Sequence, residues 1–220
     1  MDIWYKIAKT ILRAFLTTFV ESIHVNGEEN LLPGPKIIVA NHPNATDSFV
    51  LPFIIPEKIH FLIQSEIFKL PIVGRLLALA DQIPVVVGEG RKALAIAQEK
   101  LTKGNVVAIF PEGRLNHGKQ FHRAGSGALV LASMSGAPVI PIGFYVPPEH
   151  TQIMQGRFNN RSTESRWQFS GRCSVQIGKP WRMNPIFKHE VNYRKLRTLT
   201  HQIMAQIEDL VRQAKESIER

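Results

Sequence analysis

The stretch "KIIVANHPNATD", residues 36–47, decides the fold because it joins a buried strand to the start of a helix. Its apolar run "IIVA" has the length of a strand that is covered on both faces. Pro43 keeps His42 extended at the strand end, because a residue before proline avoids the α region. Asp47 then falls in the first turn of the following helix. The stretch therefore predicts a strand, a sharp turn and a helix, the repeating unit of an α/β protein.

Strand and helix patterns alternate on both sides of this unit. Short apolar runs predict further strands, whereas residues 90–102 and 191–216 have the apolar spacing of helices. Gly104 suits the end of the first of these two helices. Residues 147–170 are polar and basic, and we interpret them as a long loop. The alternation predicts an α/β sheet with helices on both faces.

The segment before this sheet, residues 2–21, predicts an amphipathic helix. Its apolar and basic side chains fall on different faces at helical spacing. The apolar face holds Ile3, Ile7, Ile11, Ala14 and Phe15, and the basic face holds Lys6, Lys9 and Arg13. We therefore divide the chain into an N-terminal helix at residues 1–21 and a domain at residues 22–220.

Composition limits the class of protein and of partner. The chain has 220 residues, enough for one domain with a sizeable core, and its 44% hydrophobic content argues against disorder. The net charge of +9 suggests an anionic partner, which is a nucleic acid, a phosphorylated substrate or an anionic membrane. The single cysteine, Cys173, has no second cysteine with which to form an internal disulfide.

Several classes of function lack their sequence signals. We expect no signal peptide and no transmembrane span, because glycine and prolines interrupt the longest uncharged stretch, residues 124–148. We expect no nucleic-acid partner, because no matching fold motif is present. His117 and His122 do not have the spacing of zinc ligands, and no complete phosphate-binding glycine motif occurs. The sequence therefore predicts no bound metal.

His42 and Asp47 have a spacing that supports acid–base chemistry. A turn between strand and helix lets the carboxylate reach back to the imidazole. A carboxylate bonded to one ring nitrogen fixes the tautomer and leaves the other nitrogen as a base. Ligands of open α/β sheets also bind at strand ends. The alternative is a structural histidine in a loop, with Asp47 as a helix cap.

A second polar stretch, "FPEGRLNHG" at residues 110–118, also follows a buried strand. It places Glu112 and Arg114 beside two glycines at a strand end. The guanidinium of arginine offers a planar fork that matches a phosphate. A turn with a surface ion pair is the alternative interpretation.

Together the two stretches resemble the glycerophospholipid acyltransferase family, which includes the 1-acylglycerol-3-phosphate acyltransferases. The family's Asn-His-x4-Asp motif is matched by Asn41, His42 and Asp47. Its Phe-Pro-Glu-Gly motif is matched in full by residues 110–113, and "APVIPIGF" is similar to its fourth motif. The resemblance covers roughly residues 20–180. It implies the family's fold, a single α/β domain with a mixed, largely parallel sheet flanked by helices.

The resemblance also implies a reaction, acyl transfer from a thioester to the free hydroxyl of a lysophospholipid. The donor would be acyl-CoA or acyl carrier protein, with no further cofactor, and the default acceptor 1-acylglycerol-3-phosphate, which gives phosphatidic acid. In this interpretation His42 is the general base and Asp47 orients it. The implied substrate-binding residues are Asn41, Glu112, Gly113, Arg114 and Arg91.

Three departures from the family pattern bear on the acceptor. Asn44 stands where many members have serine, and Arg114 directly follows the glycine where Thr-Arg is frequent. Val86 and Val87 occupy the place of an arginine in the second motif, for which Arg91 is a nearby basic residue. Another lysolipid acceptor therefore stays open. A thioesterase that uses the same pair on water, and a lipid-binding protein without activity, also stay open.

The expected substrates imply contact with a membrane. Aromatic and basic residues of the N-terminal helix are typical of a helix that lies in the interface, although packing on its own domain is the alternative. Basic residues between 157 and 188 would add attraction to anionic lipid. We therefore expect a peripheral or monotopic protein on the cytoplasmic face of a membrane.

Overall fold

The structure is a computed structural model that describes residues 2–117, 121–158, 161–183 and 193–219. Fifteen helices and strands are described, besides three short 3-10 segments at Glu28–Asn30, Ser65–Lys69 and Pro148–His150. In chain order they are α1 (Ile3–Phe19), β1 (Ser22–Asn26), β2 (Lys36–Ala40), α2 (Asp47–Ile54), β3 (Ile59–Gln64), α3 (Val73–Leu79), β4 (Ile83–Val85), α4 (Gly90–Thr102), β5 (Val106–Ile109), α5 (Gly127–Ser135), β6 (Val139–Tyr145), β7 (Thr151–Phe158), β8 (Arg161–Gln168), β9 (Arg172–Ile177) and α6 (Tyr193–Glu219).

Seven of these strands form one sheet in the order β1-β9-β6-β2-β5-β3-β4. Every neighbouring pair is parallel except β6 and β9, which are antiparallel. The predicted fold class is therefore confirmed: a mixed, largely parallel sheet flanked by helices in a single domain. The helix at 90–102 is observed as α4, and the long final helix as α6, while residues 191 and 192 lie outside the described residues.

The strand β2 shows why the sheet is covered on both faces. Successive side chains of a strand point to opposite faces. Ile38 and Ala40 accordingly pack with α1 and α2, whereas Ile37 and Val39 pack with α4, α5 and α6. All four side chains are at most 1% exposed. The continuous apolar run is thus explained by two cores, one on each face.

The helix α1 forms as predicted, but of its predicted apolar face only Phe15 packs against the core. Ile3, Ile7 and Ile11 of the predicted apolar face are 63%, 39% and 52% exposed. Tyr5 and Leu16 are buried instead, and the backbone N–H of Ile59 donates to the Tyr5 hydroxyl. The helix therefore has two apolar stripes, and its own domain covers only one of them.

The prediction of a loop at residues 147–170 is wrong. The strands β7 and β8 occupy most of this segment and pair antiparallel from Thr151–Gln168 to Phe158–Arg161. They form a two-stranded sheet of their own, separate from the seven-stranded sheet. Because the side chains at 152–156 of β7 are exposed, this part of the hairpin lacks the apolar alternation that predicts a strand.

Candidate active site

The carboxyl ends of two neighbouring strands bring the two polar stretches together. The strands β2 and β5 are parallel, with Val39 opposite Ile109. The sequence "NHPNATD" directly follows β2, and "FPEG" directly follows β5. Their residues consequently meet at one edge of the sheet, which is where open α/β sheets bind ligands.

His42 and Asp47 form the predicted pair at this edge. The Nδ1 of His42 lies 3.3 Å from the Oδ2 of Asp47, and the N–H of Asn44 donates to the same oxygen at 2.7 Å. The imidazole stacks on the Phe110 ring, with a centroid separation of 3.9 Å and an interplanar angle of 9°. Phe110 and Asp47 thus fix both the plane and the rotation of the ring. With Nδ1–H donating to the carboxylate, Nε2 is the basic nitrogen.

The two members of the pair differ in their access to solvent. The Asp47 side chain is 2% exposed, whereas that of His42 is 17% exposed. Burial raises the pKa of Asp47, and the hydrogen bonds from His42 and Asn44 oppose this rise. A carboxylate whose charge is costly to bury stabilises a neighbouring imidazolium, because the two charges then compensate each other in a medium of low dielectric constant. The pair is therefore arranged to accept a proton at His42.

Glu112 connects the two polar stretches rather than projecting into open space. Its Oε1 accepts from the N–H of His42 at 3.3 Å and from Asn116 Nδ2 at 2.8 Å, and its Oε2 accepts from the N–H of His122 at 2.9 Å. The N–H of Asn116 in turn donates to the His42 carbonyl at 2.9 Å. These four bonds hold the His42 backbone in place. We therefore assign Glu112 to positioning His42, although the sequence suggests substrate binding.

Asn41 also has its polar atoms engaged within the fold. Its side-chain amide pairs with both backbone groups of Phe144 in β6, at 2.9 and 2.7 Å. These two hydrogen bonds tie the residue that follows β2 to β6. Asn41 itself is 2% exposed. Gly113 has a φ of 65°, a left-handed conformation that favours glycine, and its carbonyl accepts from Gln64. Both residues thus shape the edge of the sheet on which His42 lies.

The two arginines of the predicted site lie in different surroundings. Arg114 is exposed, and its Nη2 lies 3.3 Å from Nδ1 of His122, which follows Glu112 by ten residues. It is therefore joined to the His42 site through the Glu112 network. Arg91 is an exposed residue in the first turn of α4, and no hydrogen bond or ion pair of the described residues joins it to that network.

The family model described as Acyltransferase matches residues 22–145, which is more than half of the chain and includes both polar stretches. The chain belongs to the acyltransferase family. The matched region runs from β1 to the end of β6 and thus contains the His42–Asp47 pair and the Glu112 network. The resemblance inferred from the motifs is confirmed.

Two relatives of this chain carry the same name. The 1-acyl-sn-glycerol-3-phosphate acyltransferase of Pseudomonas aeruginosa is 32% identical over 136 residues, which cover 58% of this chain and 52% of that protein. The Bacillus subtilis protein of the same name is 24% identical over 210 residues, 94% of this chain and 96% of its own. The chain thus spans about half the length of the Pseudomonas relative and nearly all of the Bacillus one.

A solved structure has the same fold over nearly the whole of this chain. The chain matches the crystal structure of the 1-acyl-sn-glycerophosphate acyltransferase PlsC from Thermotoga maritima with a TM-score of 0.67 and 23% identity. The match covers 98% of this chain and 80% of that one. The acyltransferase fold therefore extends beyond the region that the family model matches.

Arg166 of the hairpin reaches the site, although from the sequence it is only one of several basic residues between 157 and 188. Its carbonyl accepts from the N–H of Ala45 at 2.8 Å, and its Nη1 donates to the His117 carbonyl at 2.6 Å. It thereby bridges the loop after β2 and the loop after β5. Its Nε is buried and has no hydrogen-bond partner among the described residues. No local pattern predicts these contacts, because they join three segments distant in sequence.

We expect Arg166→Gln to lower kcat by about tenfold to hundredfold, because small displacements of a general base are costly. The loss of the bond to His117 would let the two loops move apart and displace His42, while Arg114 is untouched. The measurement is steady-state acyl transfer with both substrates varied. Arg172→Gln removes the same charge from an exposed position at the start of β9 and serves as the control. Equal losses in both variants would show that Arg166 acts only through its charge.

The thiol of Cys173 and the possible metal ligands are separate from the His42–Asp47 pair. Cys173 is buried in β9, and burial raises the pKa of its thiol to about 12. A buried thiol of this kind is a poor nucleophile at neutral pH. Within the described residues, no group of three or more His, Cys, Asp or Glu side chains is arranged to hold a metal ion.

Proposed function

We propose that this chain transfers an acyl group from a thioester to the free hydroxyl of a lysophospholipid. The default acceptor is 1-acylglycerol-3-phosphate, and the product is then phosphatidic acid. The single observation that carries the proposal is the His42–Asp47 pair, whose carboxylate is buried and whose imidazole reaches solvent. The shared name of the Pseudomonas and Bacillus relatives supports this acceptor.

The geometry supports direct attack by the acceptor. Nε2 of His42 removes the proton of the lipid hydroxyl as its oxygen attacks the thioester carbonyl. The tetrahedral intermediate then collapses to the ester, and the carbon–sulfur bond breaks. The departing thiolate takes the proton from His42, which restores the neutral imidazole. Asp47 stabilises the transient imidazolium, so the cycle needs no covalent acyl-enzyme.

We assign the acceptor's phosphate to Arg114. Its guanidinium is exposed at the edge of the Glu112 network and offers several N–H donors to a phosphate. We expect Arg114→Gln to raise the acceptor KM about tenfold, the size of one hydrogen bond to a charged group, with little change in kcat. The measurement is the initial rate as a function of lysophosphatidic acid concentration. Arg75→Gln, an exposed arginine of α3, is the control, and an unchanged KM in Arg114→Gln would remove Arg114 from the phosphate site.

We also propose that α1 lies in the interface of a membrane, with the protein peripheral or monotopic on the cytoplasmic face. The exposed stripe of Ile3, Trp4, Ile7 and Ile11 is the kind of surface that inserts at the level of the headgroups. Among the described residues, no helix combines the length and the apolar character that crossing a bilayer requires. Acyl-CoA or acyl carrier protein would reach such a site as a co-substrate, without another cofactor.

The experiment that tests the proposed function measures thiol release from long-chain acyl-CoA and from acyl carrier protein. Each donor is supplied with and without lysophosphatidic acid in mixed micelles, and the lipid products are identified by mass spectrometry. We expect release that depends on the acceptor, together with phosphatidic acid. Equal release without acceptor would identify a thioesterase instead. If thiol is released only with a different lysolipid, the proposed reaction would stand, but that lysolipid would be the acceptor.

A further inference from the structure

A groove lies beside the site, between residues 121–126 and α6. Its volume is about 560 Å³, within the range of about 300–1,000 Å³ that small-molecule sites have. The segment 121–126 runs from the loop after β5 to the start of α5 and forms one wall, and the first half of α6 forms the other. The side chains that carry its chemistry are His122, Arg123, Ser126, Arg197, Thr200 and His201.

The charge of this groove favours an anion. Arg123 and Arg197 place one guanidinium on each wall, and the imidazoles of His122 and His201 accompany them. The only carboxylate among the lining residues belongs to Glu208. Within the described residues, neither arginine forms a hydrogen bond or an ion pair through its guanidinium. Two cations thus remain available to a ligand, and two arginines on facing walls suit a phosphate group.

The polar floor of the groove joins its two walls. The hydroxyl of Thr200 donates to the Leu196 carbonyl at 2.7 Å, and its oxygen lies 3.0 Å from the Ser126 hydroxyl, within hydrogen-bond distance. Thr200 is only 5% exposed, so this contact is protected from solvent. The spacing between the arginines is consequently supported by a fixed contact between α6 and the start of α5.

Hydrogen bonds through Glu112 connect one wall of the groove to the His42 loop. The N–H of His122 donates to Oε2 of Glu112, and Oε1 of the same carboxylate accepts from the N–H of His42. The N–H of Gly125 donates to the Pro111 carbonyl at 2.8 Å, which ties the same wall to the loop after β5. A ligand in the groove therefore contacts the segment that is hydrogen-bonded to the loops after β2 and β5.

We propose that this groove binds the phosphate-bearing carrier arm of the acyl donor. The inference rests on the proposed function, in which a thioester must reach the hydroxyl that His42 activates. Coenzyme A and acyl carrier protein both hold the acyl group on a pantetheine arm that ends in a phosphate. Arg114 serves the phosphate of the acceptor at the other side of His122, so the groove is left for the second anionic substrate. Arg123 and Arg197 bind the phosphate of the carrier, and the thioester extends towards His42.

The test is steady-state kinetics of Arg197→Gln with three donors that carry the same acyl group: acyl-CoA, acyl carrier protein and acyl-pantetheine, which has no phosphate. We expect the KM for at least one phosphorylated donor to rise about tenfold, the size of one charge-assisted hydrogen bond. The KM for acyl-pantetheine and for the acceptor should stay unchanged. The control is Arg212→Gln, the same substitution further along α6 at an exposed residue that pairs with Asp209.

The donors also identify the source of the phosphate. A rise confined to acyl-CoA or to acyl carrier protein assigns the groove to that carrier. An unchanged KM for both, a rise in the acceptor KM, or an equal rise for acyl-pantetheine would overturn the proposal.

Calorimetric binding of unacylated coenzyme A and of the holo carrier protein gives a readout that does not depend on turnover. Binding that Arg197→Gln weakens, in a wild-type protein without transfer activity, would retain the groove and reject the proposed function. If the wild-type protein transfers acyl groups but Arg197→Gln leaves donor binding unchanged, the proposed function would be retained and the groove would be rejected as the donor site.

Discussion

Replacing His42 with alanine is expected to lower kcat for acyl transfer by about 10²- to 10⁴-fold, the usual contribution of a general base. The substitution removes the group that accepts the proton of the acceptor hydroxyl. Glu112 and Asn116 bond to the backbone of residue 42, so the loop keeps its main contacts in the variant. The measurement is the initial rate of phosphatidic acid formation at saturating donor and acceptor.

The control for this variant is His24→Ala, which removes an exposed imidazole from β1. Its rate should match that of the wild type. Circular dichroism and thermal unfolding of both variants separate a loss of chemistry from a loss of folded protein. A His42→Ala protein that is folded and retains more than a small fraction of the activity would remove His42 from the reaction.

Replacing Asp47 with asparagine is expected to lower kcat by up to about 10⁴-fold, as the same exchange does in hydrolases with this pairing. An asparagine amide cannot compensate the charge of the imidazolium, and its N–H₂ group can hold His42 in the wrong tautomer. The acceptor KM should change little, because Arg114 is untouched. The measurement is kcat and KM from the same assay.

The fold should survive this substitution. Burial raises the pKa of Asp47, so its ionised form costs stability in the native state as the pH rises through that pKa. Asparagine removes the buried charge and can still accept from the N–H of Asn44. Asp209→Asn, at an exposed carboxylate of α6, is the matched control. Activity of Asp47→Asn close to that of the control would contradict the assigned pairing.

Local sequence patterns predicted the core of the site because its parts lie on regular elements. The apolar runs "IIVA" and "VVAI" each form a strand buried on both faces, and polar motifs follow both. Once these strands are neighbours and parallel, their ends must meet. The five-residue separation of His42 and Asp47 then needs only one turn to close, and the structure closes it at 3.3 Å.

Tertiary contacts explain what the sequence did not predict. Arg166 contacts Ala45 and His117, and no periodicity encodes a contact between segments so far apart. The family resemblance implied substrate binding for Glu112, and in the structure three donors within the fold bond to its carboxylate, contacts that no local pattern predicts. In α1, the apolar residues occupy two stripes, and the sequence alone does not show which one the domain covers.

The central claim is that the lipid hydroxyl, activated by His42, attacks the thioester directly. A single-turnover experiment tests it most directly: enzyme in excess over a radiolabelled acyl donor, with and without lysophosphatidic acid, is quenched at intervals and separated into protein and lipid. We expect label to pass from donor to phosphatidic acid only when acceptor is present, with none bound covalently to the protein. Labelled protein that forms without acceptor and then decays when acceptor is added would contradict it.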